Sequence, residues 1–242
     1  MRVSIIIPAY NEESCIAGTL NHVLAFASTF AAIREVIVVS DGSTDNTARI
    51  VEEIAERRDA GTAAIRLVCN PRNMGKGAAV RRGVLAATGD VVLFTDADLS
   101  APMSEAPLLL DPIAQGRYDV TIGSRALDRH SIGVHQGPFR EKAGRIFNFL
   151  VRAVTGMPFR DTQCGFKAFR RDALLPILQK QRIEGFAFDV ELLFHAGRAG
   201  LRIAEIPVRW NHVHHSKVHM LRDPLRMFLD VVRIRLRVAF RR

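Results

Sequence analysis

Cysteine is scarce in this sequence, and the three present, Cys15, Cys69 and Cys164, are scattered with no CxxC pair. That spacing argues against a disulfide framework and a structural zinc site, and it fits a reducing compartment. No apolar run approaches the ~20 residues that span a bilayer. A leader is not expected either: Met1-Arg2 opens directly onto Val3-Ser4-Ile5-Ile6-Ile7, too short for a signal-peptide core and better read as a first strand. Aromatic residues make up only 7%, with one Trp and two Tyr. With no RRM-like or helix-turn-helix pattern beside them, a nucleic-acid binder is disfavoured. Repeats, low-complexity tracts and composition breaks are also lacking, so residues 1–217 read as one domain, followed by a basic amphipathic segment over 218–242.

Acidic residues are in short supply as well. Lys and Arg number 34 against 25 Asp and Glu, a net charge of +9. Such a balance implies attraction to phosphate in nucleic acid, anionic lipid or a phosphorylated substrate. The excess is concentrated at the C-terminus, where Pro207 to Arg242 contains only Asp223 and Asp230 as acids.

What the chain does have is apolar residues, 48% of its 242, enough for a full core. They alternate between strand-like runs and helix-like spacings, which predicts a mostly parallel sheet flanked by helices. Val3 to Ile7, Glu35 to Ser40, Ile65 to Cys69, Val91 to Thr95, Asp119 to Gly123 and Ile203 to Trp210 read as strands, with Pro8 stopping the first. Helices are predicted from about Glu13 to Phe26, to about Arg57, and over Ala78 to Ala87, Ser104 to Gln115, Phe139 to Val154 and Arg171 to Leu178, with another opening at Phe188. Ala126 to Gly137 reads as a loop.

Ligands of open α/β sheets sit beyond the carboxyl ends of the strands. Thr95-Asp96-Ala97-Asp98 delivers two carboxylates there, one residue apart, and both can point at one hard cation. Asn73-Met-Gly-Lys-Gly77 is either a phosphate-approaching turn or an ordinary tight one. It is neither a Walker A loop nor a dinucleotide fingerprint. Pro8 and Tyr10 to grip a base, Asp41 and Glu12 as acceptors, and a metal on Asp98 beside Lys76 and Arg125 would together suit a nucleotide.

The stretches Ser4 to Glu13, Val38 to Asp45, Asn73 to Gly77 and Thr95 to Ser100 closely resemble family 2 glycosyltransferases of the GT-A fold. Within that family, Asp161-Thr-Gln-Cys-Gly-Phe-Lys167, Phe188-Asp-Val-Glu-Leu192 and Glu205 to Trp210 followed by Ser216-Lys217 resemble the dolichyl-phosphate β-glucosyltransferases, near the dolichyl-phosphate mannose synthases. The resemblance implies a nucleotide-sugar donor, Mg²⁺ or Mn²⁺, inversion at the anomeric carbon and a polyprenyl-phosphate acceptor. By position, Pro8, Tyr10, Glu12 and Asp41 would bind the nucleoside. Asp96 and Ala97 would meet ribose or sugar, Asp98 with Asp96 the metal, and Arg125 and Lys217 the phosphates. Glucose from UDP-glucose is the leading donor; mannose from GDP-mannose or a soluble acceptor is the alternative.

A phosphate monoester has a second pKa of about 6 and arrives as a ready dianion. Cations rather than a base are therefore expected around it: Arg140, Lys142, Lys167 and Lys217, with His214 and His215 behind them. Asp189 is either a base or, as favoured here, the group that orients one of these cations. His212-x-His214-His215-x-x-x-His219 is read as a basic loop rather than a metal cluster, since no Cys or carboxylate follows at ligand spacing. In the tail, Arg222, Arg226, Asp230, Arg233, Arg237 and Arg241 form one helical stripe, and Leu225, Phe228, Leu229, Val232, Leu236 and Phe240 another. Such a helix either lies on an anionic membrane or packs on its own domain. The first option implies peripheral attachment to the cytoplasmic face of a membrane.

Overall fold

The computed structural model describes residues 1–57, 63–128, 132–134, 138–211 and 222–239. Strands β1 (Val3–Ala9), β2 (Ile33–Ser40), β3 (Ala64–Cys69) and β4 (Val91–Thr95) are joined by helices α1 (Ile16–Thr29), α2 (Thr47–Glu56) and α3 (Lys76–Ala86). After α4 (Ala106–Ala114) come β5 (Val120–Ser124), β6 (Ile132–Val134), α5 (Pro138–Thr155) and β7 (Phe166–Arg170). The chain ends with α6 (Arg171–Leu178), α7 (Phe188–Arg198), β8 (Ile203–Pro207), β9 (Trp210–Asn211) and α8 (Arg222–Ala239).

Seven strands form one sheet in the order β3-β2-β1-β4-β7-β5-β8. All neighbours are parallel except β7, which runs against both β4 and β5. Successive crossovers step from β1 to β2 to β3 on one side, then return to set β4 on the other. Strand order therefore reverses between β1 and β4, which opens a crevice beyond their carboxyl ends. Alternating side chains supply two layers. Ile5, Ile7, Val36, Val38 and Leu93 pack on one face, while Ile6, Ile37, Val39, Val92 and Phe94 pack on the other. Being covered on both faces explains why these strands read as continuous apolar runs.

Three expectations need correction. Pro8 does not stop β1, which continues to Ala9 in register with Ser40. Pairing with β4 has already ended at Ile6, so the donor that proline lacks is not needed on that side. The segment read as a loop contains β6, paired with β9 in a separate two-stranded sheet. The last strand is accordingly split after Pro207 into β8 and β9. Helix α1 begins at Ile16 rather than Glu13: Cys15 sits at a non-helical φ of −125°, and the stretch before it is tied to the start of α2 by the backbone N–H groups of Glu12 and Glu13 on Thr47 Oγ1 and Asp45 Oδ2.

One buried polar knot ties β1, β2 and the turn before β4. Ser4 Oγ donates to Glu35 Oε1 at 2.6 Å, Thr88 donates to it from N and Oγ1, and Arg66 Nη1 donates to Oε2. Burial alone would raise the Glu35 carboxyl, but the hydrogen bonds from Ser4, Thr88 and Arg66 outweigh it and hold it at about 2. A carboxyl depressed on folding stabilises above its unfolded pKa, and that stability is lost as pH falls through the folded value. Glu35 is therefore expected to contribute fully above about pH 4.5 and to lose its contribution between there and about pH 2. Urea midpoints measured across that range should fall more steeply in the wild type than in Glu35→Gln. Parallel curves would exclude the assignment.

Candidate active site

Three loops meet at the β1–β4 crevice. After β1, Asn11 takes a left-handed φ of 54° and clips the next loop, with its N–H on Ser43 Oγ and its Oδ1 receiving Thr44 N at 2.8 Å. The turn leaves Tyr10 exposed at the rim and Pro8 and Glu12 half-buried. After β2, Asp41 is buried: Oδ1 accepts from Asn70 Nδ2 and Met74 N, and Oδ2 accepts from Gly75 N at 2.7 Å. One carboxylate thus binds the ends of β2 and β3 to the glycine turn that opens α3. Gly75 has φ +101°, and a Cβ there would lie 2.4 Å from Glu184 O, so the close approach requires glycine.

After β4, Asp96 and Asp98 are half-buried and Ala97 between them is buried, its carbonyl accepting from Thr19 Oγ1 of α1. Leu99 follows in the left-handed region at φ 48°, a conformation costing roughly 1 kcal/mol for a side-chain-bearing residue, which turns the chain back over the pair. Lys76 Nζ contacts Asp96 Oδ1 at 2.6 Å. Burial disfavours the Lys76 ammonium, but Asp96, then Asp189 and Asp98, outweigh it and push it up, so the lysine stays charged. Asp98 is pushed up by burial first and Asp96 second, and one lysine does not fully offset the two carboxylates. Two hard oxygen donors with uncompensated charge fit a divalent cation that completes its shell with water and substrate phosphate. Among the described residues, no cluster of three or more metal-ligating side chains offers an all-protein cage.

The reversed strand β7 brings a fourth loop to the same edge. Gly165 lies against Asp96 so closely that a Cβ would fall 1.9 Å from Oδ2. Asp161 grips Arg125 in a two-point pair, Nε to Oδ2 at 2.6 Å and Nη2 to Oδ1 at 2.9 Å, and the guanidinium lies 5.4 Å from the Trp210 ring centroid. Burial by itself would raise Asp161, but Arg125 holds it at about 2. Cys164 beside it is buried, and its thiol is pushed up to about 12, first by burial and then by Asp161. It is therefore protonated and inert at neutral pH.

Lys167 differs from expectation. It sits fully buried in the middle of β7, with Nζ donating to Asp189 Oδ1 at 2.8 Å and Cys164 O at 2.7 Å, over the Phe94 ring. A side chain so enclosed does not meet an acceptor in this arrangement. It holds the Asp189 carboxylate and the 164–165 loop instead. Arg140 falls in α5 and Lys142 is exposed there; the Arg140 side chain, Lys217, His212, His214, His215 and His219 lie outside the described residues. Asp161, Gly165 and Trp210 were not picked out as site residues. The available signal was a lysine amid the apolar alternation of Phe166 to Phe169, which demands a buried partner and hence a loop folded in around it.

A doubly wound half-sheet with paired aspartates at its switch point, continued by a reversed strand, is the GT-A arrangement of nucleotide-sugar transferases. The comparisons agree and narrow the class. Residues 4–177 match Glycosyl transferase family 2. A dolichyl-phosphate beta-glucosyltransferase of Trichomonas vaginalis is 36% identical over 96% of this chain and 72% of its own length, and that of Saccharomyces cerevisiae is 35% identical over 97% and 74%. Glucosyl-3-phosphoglycerate synthase from Mycobacterium tuberculosis, solved with Mn²⁺, UDP and phosphoglyceric acid, shares the fold at TM-score 0.72 and 22% identity, over 98% of this chain and 78% of that one. This chain belongs to glycosyl transferase family 2.

Proposed function

We propose that the protein transfers glucose from UDP-glucose to a polyprenyl phosphate, with inversion, giving a β-linked lipid phosphosugar. The observation that carries this reading is the Asp96–Asp98 pair held beside Lys76 at the β1–β4 crevice. The names of the relatives, aligned along nearly the whole chain, support glucose as the group transferred and a polyprenyl phosphate as the acceptor class. Tyr10 and Pro8 offer the base a surface, and Asp41 fixes the loops that frame it. Asp98, with Asp96, would hold Mg²⁺ or Mn²⁺, which when bound supplies Lewis-acid neutralisation of the departing diphosphate.

The chain's own groups do the rest. Lys76 exchanges its contact with Asp96 for the donor phosphates. Arg125, oriented by Asp161 and Trp210, keeps its remaining N–H groups for phosphate oxygen. The acceptor arrives already ionised, so orientation and charge matter more than proton removal. Asp189 acts as a positioning residue, holding the 164–165 loop through Lys167 rather than aiming a cation at the acceptor. The acceptor is met at the cytoplasmic face of a membrane to which the protein is peripherally attached; among the described residues no helix is long and apolar enough to cross one.

The test is donor hydrolysis across UDP- and GDP-sugars with Mg²⁺ or Mn²⁺, repeated with a short isoprenyl phosphate. UDP-glucose should be turned over fastest, acceptor-dependently, with chelation abolishing turnover and added metal restoring it. Preference for GDP-mannose would overturn the donor assignment, and turnover indifferent to isoprenyl phosphate would overturn the acceptor.

A further inference from the structure

Half of the exposed large hydrophobic side chains among the described residues lie on just two helices: Ile146 and Phe149 on α5, and Leu225, Leu229 and Leu236 on α8. These helices pack against each other. In α8, Met227, Val231 and Ile234 follow steps of four and three and form the inward seam, with Val231 and Ile234 joined to the core beside α6 and α7. Leu225, Leu229 and Leu236 fall on the roughly opposite face at ~100° per residue. The helix therefore has two apolar seams, and packing uses only one. Helix α5 repeats the pattern: Asn148, Val151 and Thr155 are buried, while Ile146 and Phe149, 60% exposed, face away. The outward seams are bordered by exposed Lys142 and Arg145 on α5 and by Arg226, Arg233, Arg235 and Arg237 on α8. The only acid on α8 with a described side chain, Asp230, is paired with Arg233 at 2.8 Å.

We propose that α5 and α8 together form a docking platform for an anionic bilayer, with the outward seams entering the headgroup boundary and the basic residues meeting lipid phosphate. This rests on the reading above that the acceptor is carried by a lipid, and deepens it. The tail helix is not a detachable anchor, because its inward seam is core; the membrane face is shared with a helix some eighty residues earlier in the sequence. Charge selects the occupant. A second copy of the chain would bring two basic borders together, whereas an anionic surface neutralises them, each Lys or Arg near it adding about fivefold to binding.

The full-length protein, Phe149→Glu and Leu229→Glu are compared by flotation with vesicles of phosphatidylcholine alone or with phosphatidylserine. Both positions are solvent-exposed, so melting temperatures should stay near wild type. Wild type is expected to float with the serine-containing vesicles, less so at high salt, and weakly with phosphatidylcholine. Either substitution should lower flotation at least tenfold, the α5 variant as strongly as the α8 variant. Both should transfer normally to a short soluble isoprenyl phosphate and lose activity only on vesicle-borne acceptor. Undiminished flotation of Phe149→Glu overturns the platform, as does a wild-type dimer in light scattering that Phe149→Glu dissociates. If the soluble acceptor is used but vesicles are not bound, the platform fails and the proposed reaction stands. If vesicles are bound through both helices but no isoprenyl phosphate is used, the platform stands and the reaction fails.

Discussion

Asp98→Ala is expected to lower transfer by about a thousandfold or more, with KM for the donor hardly interpretable because turnover approaches background. Asp98 and Asp96 are the carboxylates proposed to hold the cation, and metal stabilisation of developing phosphate charge is worth several kcal/mol, each 1.36 kcal/mol being tenfold in rate. The fold should survive, since the half-buried Asp98 accepts its described hydrogen bond from Ser100, its own neighbour in sequence. Asp189→Asn is the control. Asparagine keeps one oxygen acceptor for Lys167 while removing the charge and replacing the second oxygen with an NH₂ donor, so measurable activity, reduced roughly ten- to a hundredfold, should remain. If the asparagine variant is as inactive as Asp98→Ala, and the acid limb of the wild-type pH profile reports a single essential base, then Asp189 takes the proton and the positioning role is wrong.

The second large effect comes from a residue with no side chain. Gly165→Ala would set a methyl 1.9 Å from Asp96 Oδ2 and 2.3 Å from its Cγ. With the backbone anchored by β4 just before it, Asp96 can relieve this clash only by rotating its side chain, so the expected result is a carboxylate turned away from Lys76. We expect a hundredfold or greater loss of kcat/KM, weakened UDP binding in the presence of Mn²⁺, and a near-native circular dichroism spectrum. A double-mutant cycle with Asp96→Ala isolates the cause. Acting through Asp96, the glycine substitution adds almost nothing in the Asp96→Ala background. Full additivity of the two losses would mean that the 165 loop matters for another reason.

The parallel half of the molecule was legible because its signals are local. β1, β2 and β4 are apolar runs followed at once by the residues they deliver, so Asp41, Asp96 and Asp98 could be placed on one edge from the sequence. Among the later parts β5, α5, α6 and α7 were legible as well, but three features were not, for physical reasons that differ. Phe166 to Arg170 has the alternation of a half-exposed strand, but both faces are covered and the polar member, Lys167, is satisfied by Asp189 from a helix more than twenty residues on. No periodicity encodes that partner. The pairing of Ile132 with Trp210 is longer-range still and too short to leave a pattern. In the tail, the helical spacing was correct, but of the apolar stripe read from it Leu225, Leu229 and Leu236 form the outward seam, while Phe240 lies outside the described residues. The packing seam of Met227, Val231 and Ile234 is distinguishable only once α5 and α7 are in place.

The reversal of β7 also has a kinetic meaning. Its partners on either side, β4 and β5, precede it by tens of residues, and between them lie α4, β6 and α5. Pairings so far apart in sequence, that of β1 with β4 as well as those of β7, close late, after the shorter crossovers from β1 to β2 and β2 to β3 can already have formed. Yet Gly165 and Asp161, which fit against Asp96 and Arg125, arrive only with that insertion. A chain with its first four strands assembled but β7 still outside has both aspartates and no enclosed crevice. Uptake of metal and UDP during refolding should therefore lag behind the appearance of secondary structure and mark the final step of maturation.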